Sequence, residues 1–250
     1  MNGISATQPL PSDDNLPPVI ETCVTGGMSL TVSEPWGTAR AGIVLLHEIW
    51  GVTDAIKNFT SCLAARGYIT AAPHLYHRVG SPVVTDRVFN KARRYHDSLT
   101  AEGLSVDLEG ALEWTRAHGV RKVAIVGFSM GGTIALWAAA TLRIEAAVTF
   151  YGSGLTSSRW PDVLSGVDAA RALKAPWLGI YGERDASTPA GDLSLLRETL
   201  ERNSVSSTMI IYPHVGHGFA LDPQGRRHAP AETEGAFEQV RLFLEAHLVK

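Results

Sequence analysis

Ser129 stands at the centre of a motif that is typical of a catalytic nucleophile. Residues 126–132 read VGFSMGG, in which Gly127, Ser129 and Gly131 form a G-x-S-x-G pattern. An apolar run precedes the motif and small, apolar residues follow it, which predicts a strand, a sharp turn and a helix. Glycine on either side leaves room in so tight a turn, and the helix N-terminus would favour negative charge at the serine. The alternative is a serine that only caps its helix.

An acid and a base follow Ser129 in the chain order that such a turn predicts, serine, then acid, then histidine. Asp185 comes just after the apolar run 177–181, and His217 just after 209–212. Both would lie in loops at the carboxyl ends of strands, where an open α/β sheet builds its sites. Histidine can take a serine proton near neutral pH, and a carboxylate holds the imidazole in the required tautomer. Each could be an ordinary loop residue, but together with Ser129 they predict a catalytic triad.

The elements that must position these residues alternate between strands and helices, which predicts an α/β fold with a mostly parallel central sheet and helices on both faces. An early hairpin over 22–32 turns at Gly26 and Gly27. Further strands are predicted at 42–47, 68–72, 123–126, 146–151, 177–181 and 209–212. Helices are predicted at 54–66, 86–99, 107–118, 133–142, 190–202 and 231–248.

Composition narrows the class of protein. The length of 250 residues suits one domain over 19–250, and the proline, serine, aspartate and asparagine content of residues 1–18 predicts a flexible tail. The net charge is −3 at pH 7. The charge argues against a nucleic-acid partner, and the apolar stretches are too short to predict a membrane span. The two cysteines, Cys23 and Cys62, fit a reducing compartment, so we expect a cytoplasmic protein.

Four segments carry a resemblance to a known family: HEIWG at 47–51, APHLY at 72–76, GFSMGG at 127–132 and GHGF at 216–219. With these the chain, from about Thr22 to its end, resembles the dienelactone hydrolase family of α/β-hydrolases. The H-E-I-x-G element is fairly specific, because other α/β-hydrolases usually carry H-G-G or H-G-x-x there. The resemblance implies an α/β-hydrolase fold and hydrolysis of esters and lactones, typically the cyclic enol-lactone of chlorinated-catechol breakdown.

The resemblance also implies roles for particular residues. The N–H groups of Met130 and Ile49 would form an oxyanion hole, and Glu48 matches a glutamate that contacts and helps to activate the nucleophile. This sequence departs from the type enzyme at the nucleophile, because Ser129 stands in place of cysteine. A hydroxyl is not acidic enough to ionise beside a base, so the serine would depend more on His217, and the role of Glu48 stays open. An engineered replacement of cysteine by serine is the alternative.

A second departure concerns the substrate. The type enzyme binds its substrate carboxylate with an arginine four positions after the triad histidine, where this chain has Leu221. Arg78 and Arg87 lie in the region of the family's other arginine. A neutral or apolar ester therefore fits at least as well as a carboxylated lactone.

Aromatic residues near predicted strand ends could line an apolar pocket, and core packing or loop anchoring is the alternative. They are Trp50, Tyr76, Tyr151, Trp160 and Phe219. The histidines are scattered without metal-binding spacing, and nucleotide-binding glycine motifs are lacking, so neither a metal nor a cofactor is predicted.

The sequence therefore predicts a serine hydrolase that cleaves a small carboxylic ester or lactone through an acyl-enzyme, as a monomer or small homo-oligomer. A lyase, an isomerase or an acyl transferase on the same scaffold is the first alternative, because fold does not fix reaction type. A non-catalytic ligand-binding protein that kept the fold is the second.

Overall fold

An eight-stranded sheet forms the centre of the computed structural model, which describes residues 15–24, 26–221 and 226–249. The strand order is β1-β2-β4-β3-β5-β6-β7-β8. Strands β3 to β8 run parallel to one another. Among the described strands, the antiparallel pairings are those of β2 with β1 and with β4. The strands are β1 Ile20–Cys23, β2 Ser29–Ser33, β3 Ala41–Leu46, β4 Tyr68–Pro73, β5 Val123–Phe128, β6 Ala146–Phe150, β7 Trp177–Gly182 and β8 Ser207–Tyr212.

Helices cover both faces of this sheet. Alternate residues of β3 enter different cores, with Val44 and Leu46 on the side of α3 to α6 and Ile43 and Leu45 on the side of α1 and α7. Burial on both faces explains why these strands read as continuous apolar runs. The helices are α1 Asp54–Ala65, α2 Phe89–His96, α3 Ala101–Ala117, α4 Met130–Thr141, α5 Gly166–Arg171, α6 Ala190–Glu201 and α7 Pro230–Leu244. The α/β prediction with a mostly parallel sheet is confirmed.

Several helices differ from their predicted bounds. Helix α4 begins at Met130 rather than at 133, and α7 ends at Leu244 rather than at 248. The helix predicted over 86–99 is shortened to α2, because Arg87 has a left-handed φ of 55° that a helix cannot include. Helix α3 begins earlier than predicted, at Ala101, where the hydroxyl of Thr100 accepts a hydrogen bond from the Gly103 amide at 3.1 Å. Helix α5 was not predicted; the Ser165 side chain caps it by accepting from the Asp168 amide.

The predicted early hairpin is confirmed as β1 and β2, with positive φ at Gly26 and Gly27. Of the predicted tail, residues 1–14 lie outside the described residues. The Ser33 hydroxyl donates a hydrogen bond of 2.9 Å to the carbonyl oxygen of Pro18. Within the described ranges, every helix is too short or too polar to cross a bilayer.

The sheet brings the chemically interesting loops to one edge. Strands β3, β5, β7 and β8 are parallel, so the loops after their carboxyl ends lie on the same side. Those loops carry Glu48, Ser129, Asp185 and His217 respectively. Strand β5 lies between β3 and β6, which centres Ser129 on this edge.

Candidate active site

Ser129 occupies a strained turn between β5 and α4. Its φ of 53° and ψ of −113° lie in a region that non-glycine residues rarely adopt, at a cost of order 1–3 kcal/mol. The Ser129 amide donates to the carbonyl of Phe150 at 2.9 Å and so ties the turn to the neighbouring strand. A Cβ on Gly127 would lie 2.0 Å from the Gly131 carbonyl oxygen, and one on Gly131 would lie 2.4 Å from that of Leu46. Both glycines of the motif are therefore required by close backbone packing.

A continuous line of hydrogen bonds joins the three predicted triad residues. Ser129 Oγ lies 2.7 Å from His217 Nε2, and His217 Nδ1 lies 2.7 Å from Asp185 Oδ2. Because a carboxylate only accepts, the hydrogen of the neutral imidazole belongs on Nδ1. Nε2 then has its lone pair directed at the serine hydroxyl, which is the arrangement needed to remove its proton.

The surroundings of Asp185 favour the ionised form of its carboxyl group. Burial by itself would raise the pKa of its carboxyl, but hydrogen bonds from His217 and Ser187 and the charge of His217 outweigh that effect and hold the pKa below its usual value. Ser187 donates its amide at 2.8 Å and its hydroxyl at 2.6 Å to Asp185 Oδ1. Sequence reasoning missed Ser187, although an aspartate that accepts from the amide two residues on is a recognisable turn pattern.

The two predicted oxyanion donors lie on segments that Tyr76 joins. Ile49 follows β3, and Met130 follows Ser129 at the start of α4. The buried Tyr76 hydroxyl lies 3.0 Å from the Ile49 carbonyl oxygen and 3.2 Å from Met130 Sδ. The structure thus places Tyr76 as a brace between these two segments.

His47 fixes the peptide that carries the Ile49 N–H. Its Nδ1 donates to the Glu48 carbonyl oxygen at 2.6 Å, and the Gly51 amide donates to the same oxygen at 3.2 Å. A trans peptide is planar with its C=O and N–H on opposite sides, so fixing this carbonyl also fixes the direction of the Ile49 N–H. Complete burial lowers the pKa of His47 from 6.5 to about 4, so the ring stays neutral at physiological pH.

This buried histidine makes folding stability fall with acidification. Between pH 6.5 and about 4 the unfolded chain should bind a proton at His47 that the folded chain excludes. We therefore expect the free energy of unfolding to drop by about 3 kcal/mol across that window. His47→Asn keeps a short side chain with an N–H donor but loses the titration. Urea unfolding of both proteins from pH 7 to pH 4 should give a distinctly shallower pH dependence in the variant. Equal slopes would contradict the assignment.

Glu48, Trp50 and Arg87 gather beside the Ile49 peptide. Arg87 Nη1 lies 3.9 Å from Glu48 Oε2, and the guanidinium carbon lies 5.4 Å from the Trp50 ring centroid. A cation over an aromatic face and beside a carboxylate is held by both contacts. The arrangement places one of the two predicted arginines next to the site.

The other predicted binding residues are packed or engaged. Tyr151 and Phe219 are fully buried, with the Tyr151 ring centroid 5.0 Å from that of His217 and 5.8 Å from that of Phe219. Arg78 instead makes two hydrogen bonds to the buried carboxylate of Asp107 on α3, at 2.7 and 2.9 Å. Among the residues that the structure describes, no cluster of three histidine, cysteine or acidic side chains is arranged to hold a metal.

A mostly parallel eight-stranded sheet with helices on both faces and a strand-turn-helix serine at its carboxyl edge is the architecture of the α/β-hydrolases. The solved structure of a putative dienelactone hydrolase from Klebsiella pneumoniae superposes with a TM-score of 0.81 at 26% identity, covering 94% of this chain and 100% of that one. An acylaminoacyl peptidase of Pyrococcus horikoshii shares the fold, with a TM-score of 0.70 at 19% identity over 94% of this chain and 42% of its own.

The chain belongs to the dienelactone hydrolase family, whose model matches residues 28–248. A Yersinia pestis protein named "Putative carboxymethylenebutenolidase" is 33% identical over 201 residues, or 77% of this chain and 73% of its own length. The protein of the same name from Escherichia coli K12 is 31% identical over 209 residues, or 80% of this chain and 75% of its own. The family resemblance is confirmed, and the protein is an enzyme of the ester and lactone hydrolase type.

Proposed function

We propose that this enzyme cleaves a small carboxylic ester or lactone through an acyl-enzyme formed on Ser129. The observation that carries the proposal is the line of hydrogen bonds from Ser129 Oγ through His217 to Asp185, with both distances at 2.7 Å. Membership of the dienelactone hydrolase family supports the ester or lactone substrate. The name carboxymethylenebutenolidase, carried by the relatives, supports a lactone among the substrates to be tried first.

In the first half-reaction His217 Nε2 accepts the proton of Ser129, and Oγ attacks the carbonyl carbon. The oxyanion that forms is bound by the N–H groups of Met130 and Ile49, each worth about 3 kcal/mol when aimed at the tetrahedral oxygen. Asp185 stabilises the imidazolium through the Nδ1 hydrogen bond. The C–O bond then breaks as His217 returns the proton to the leaving alkoxide.

The second half-reaction restores the enzyme. Water attacks the acyl carbon while His217 Nε2 accepts one of its protons, and the same donors bind the second oxyanion. Collapse breaks the bond to Ser129 Oγ, which regains a proton from His217, and the carboxylic acid leaves. With a lactone the alcohol and the acid remain in one product molecule.

The surroundings of the site favour a neutral substrate. Leu221, where the type enzyme has its arginine, is buried and apolar. Arg87 lies beside Glu48, so an anionic substrate group would have to compete with a carboxylate already in place. We assign substrate contact to Trp50 and Arg87. Tyr151 and Phe219 are fully buried and pack behind the site, with Tyr151 beside His217.

Two residues that were predicted to bind the substrate have indirect, structural roles in this proposal. Tyr76 braces the oxyanion segments, and Arg78 anchors its loop to α3 through Asp107. We assign Glu48 the role of orienting Arg87, whose Nη1 lies 3.9 Å from the Glu48 carboxylate. The cytoplasmic location and the monomeric or small homo-oligomeric state stay predictions.

Hydrolysis in ¹⁸O-labelled water tests this reaction type. We expect one solvent oxygen in the carboxyl group of the product and none in the alcohol, because water attacks the acyl carbon. An acyl transferase, a lyase or an isomerase would release products without that label. Mass spectrometry of the products of an aryl ester and of dienelactone distinguishes these outcomes, with Ser129→Ala measuring the uncatalysed background.

A further inference from the structure

The Ser187 hydroxyl lies within hydrogen-bond distance of both the acid and the base of the site. Ser187 Oγ is 2.6 Å from Asp185 Oδ1 and 3.0 Å from His217 Nδ1. The Ser187 amide adds a further bond of 2.8 Å to the same carboxylate oxygen. One short side chain therefore touches two members of the triad, from the side opposite Ser129.

The donors in this group can be assigned from the chemistry of each atom. An ionised carboxylate only accepts, so the Ser187 hydroxyl hydrogen points to Asp185 Oδ1. A lone pair of Ser187 Oγ is then left to face the Nδ1–H of His217, whose nearer acceptor is Asp185 Oδ2 at 2.7 Å. Two oxygens thus face one N–H, and both favour the tautomer that leaves Nε2 free to accept from Ser129.

The position of Ser187 also affects how far water can reach the hydrogen bond between Asp185 and His217. The Asp185 side chain is only 1% exposed, that of His217 is 25% exposed, and Ser187 is an exposed residue at the loop surface. The Ser187 hydroxyl therefore stands between bulk water and the bond that joins acid to base. An N–H···O bond shielded from water is stronger than an exposed one, because the local dielectric is lower.

We propose that Ser187 is a positioning residue of the active site. Its hydroxyl holds the Asp185 carboxylate and the His217 ring in their relative orientation, and its oxygen accepts, together with Asp185, from the imidazolium N–H in the transition state. The proposal rests on the function proposed above. Ser187 is not assigned contact with the substrate, so its loss should lower kcat and leave KM nearly unchanged. One hydrogen bond of ordinary strength corresponds to roughly a five- to tenfold fall in kcat.

The test compares Ser187→Ala, Ser187→Thr and the control Ser194→Ala, an exposed serine on α6. Ser187→Ala keeps the hydrogen bond from the backbone N–H of residue 187 to Asp185 and removes only the side-chain hydroxyl. For each protein we would measure kcat and KM with an aryl ester and the rate of inactivation by a fluorophosphonate. We expect a five- to tenfold loss of kcat and of inactivation rate in Ser187→Ala, recovery to within about twofold in Ser187→Thr, and wild-type values in the control.

The outcomes separate this proposal from the function on which it rests. Wild-type kcat and inactivation rate in Ser187→Ala would overturn the proposal and leave the proposed function standing. Equal losses in Ser187→Thr and Ser187→Ala would assign the effect to packing and also overturn it. A wild-type enzyme that neither hydrolyses esters nor reacts with the fluorophosphonate would overturn the proposed function, and the role of Ser187 with it.

Discussion

Ser129→Ala is expected to lower kcat/KM for ester hydrolysis by roughly four to six orders of magnitude without unfolding the protein. The change removes the protein atom proposed to bond to the acyl carbon and leaves the oxyanion donors in place, so a small residual rate over water should remain. Initial rates with an aryl ester measure the loss. Circular dichroism and urea unfolding measure whether the fold persists.

A matched variant separates loss of the nucleophile from disturbance of the turn. Ser129→Cys keeps a nucleophile in the same strained turn, and a thiol ionises more readily beside His217. We expect this variant to retain measurable activity and to gain reactivity toward thiol reagents. Full activity in Ser129→Ala would contradict the acyl-enzyme account.

Asp185→Asn is expected to lower kcat at neutral pH by about 10⁴-fold with little change in KM. An amide can donate to Nδ1, which places the imidazole hydrogen on Nε2 and leaves nothing to accept the proton of Ser129. The depressed pKa of Asp185 means that the wild-type carboxylate is ionised well below neutral pH, so the loss should persist across the neutral range. Steady-state kinetics from pH 6 to pH 8 would measure it.

Asp162→Asn is the matched control, because Asp162 is exposed and its φ of 62° is one that asparagine tolerates well. It should behave as wild type. Activity of Asp185→Asn within tenfold of wild type would mean that another carboxylate supports His217, with Glu48 the first to test.

The sheet could be predicted because its signals are local. Each buried parallel strand is a short apolar run bounded by turn residues, and the predicted bounds of β4 and β7 lie within one residue of those observed. Helix ends depend on single capping contacts and backbone angles. The left-handed backbone of Arg87 shortened α2, and the side-chain cap at Ser165 created α5, neither of which an apolar pattern records.

The active-site residues also differ in how far their roles could be predicted from the sequence. Ser129, with a histidine and an aspartate in the expected order, could be found because the motif and the chain order both carry information. The brace from Tyr76 to Met130 spans 54 residues, and the bonds from Arg78 to Asp107 span 29. Such pairs are brought together only by the folded sheet, so no local pattern distinguishes a substrate contact from a structural one at these positions.

The most direct test of the account is the intact mass of the protein after treatment with a fluorophosphonate, with wild type and Ser129→Ala compared side by side. An activated serine should give a single adduct on the wild type, located at Ser129 by peptide mapping, and none on the variant. An unmodified, well-folded wild type, or an adduct that persists in Ser129→Ala, would contradict the assignment of Ser129 as the nucleophile.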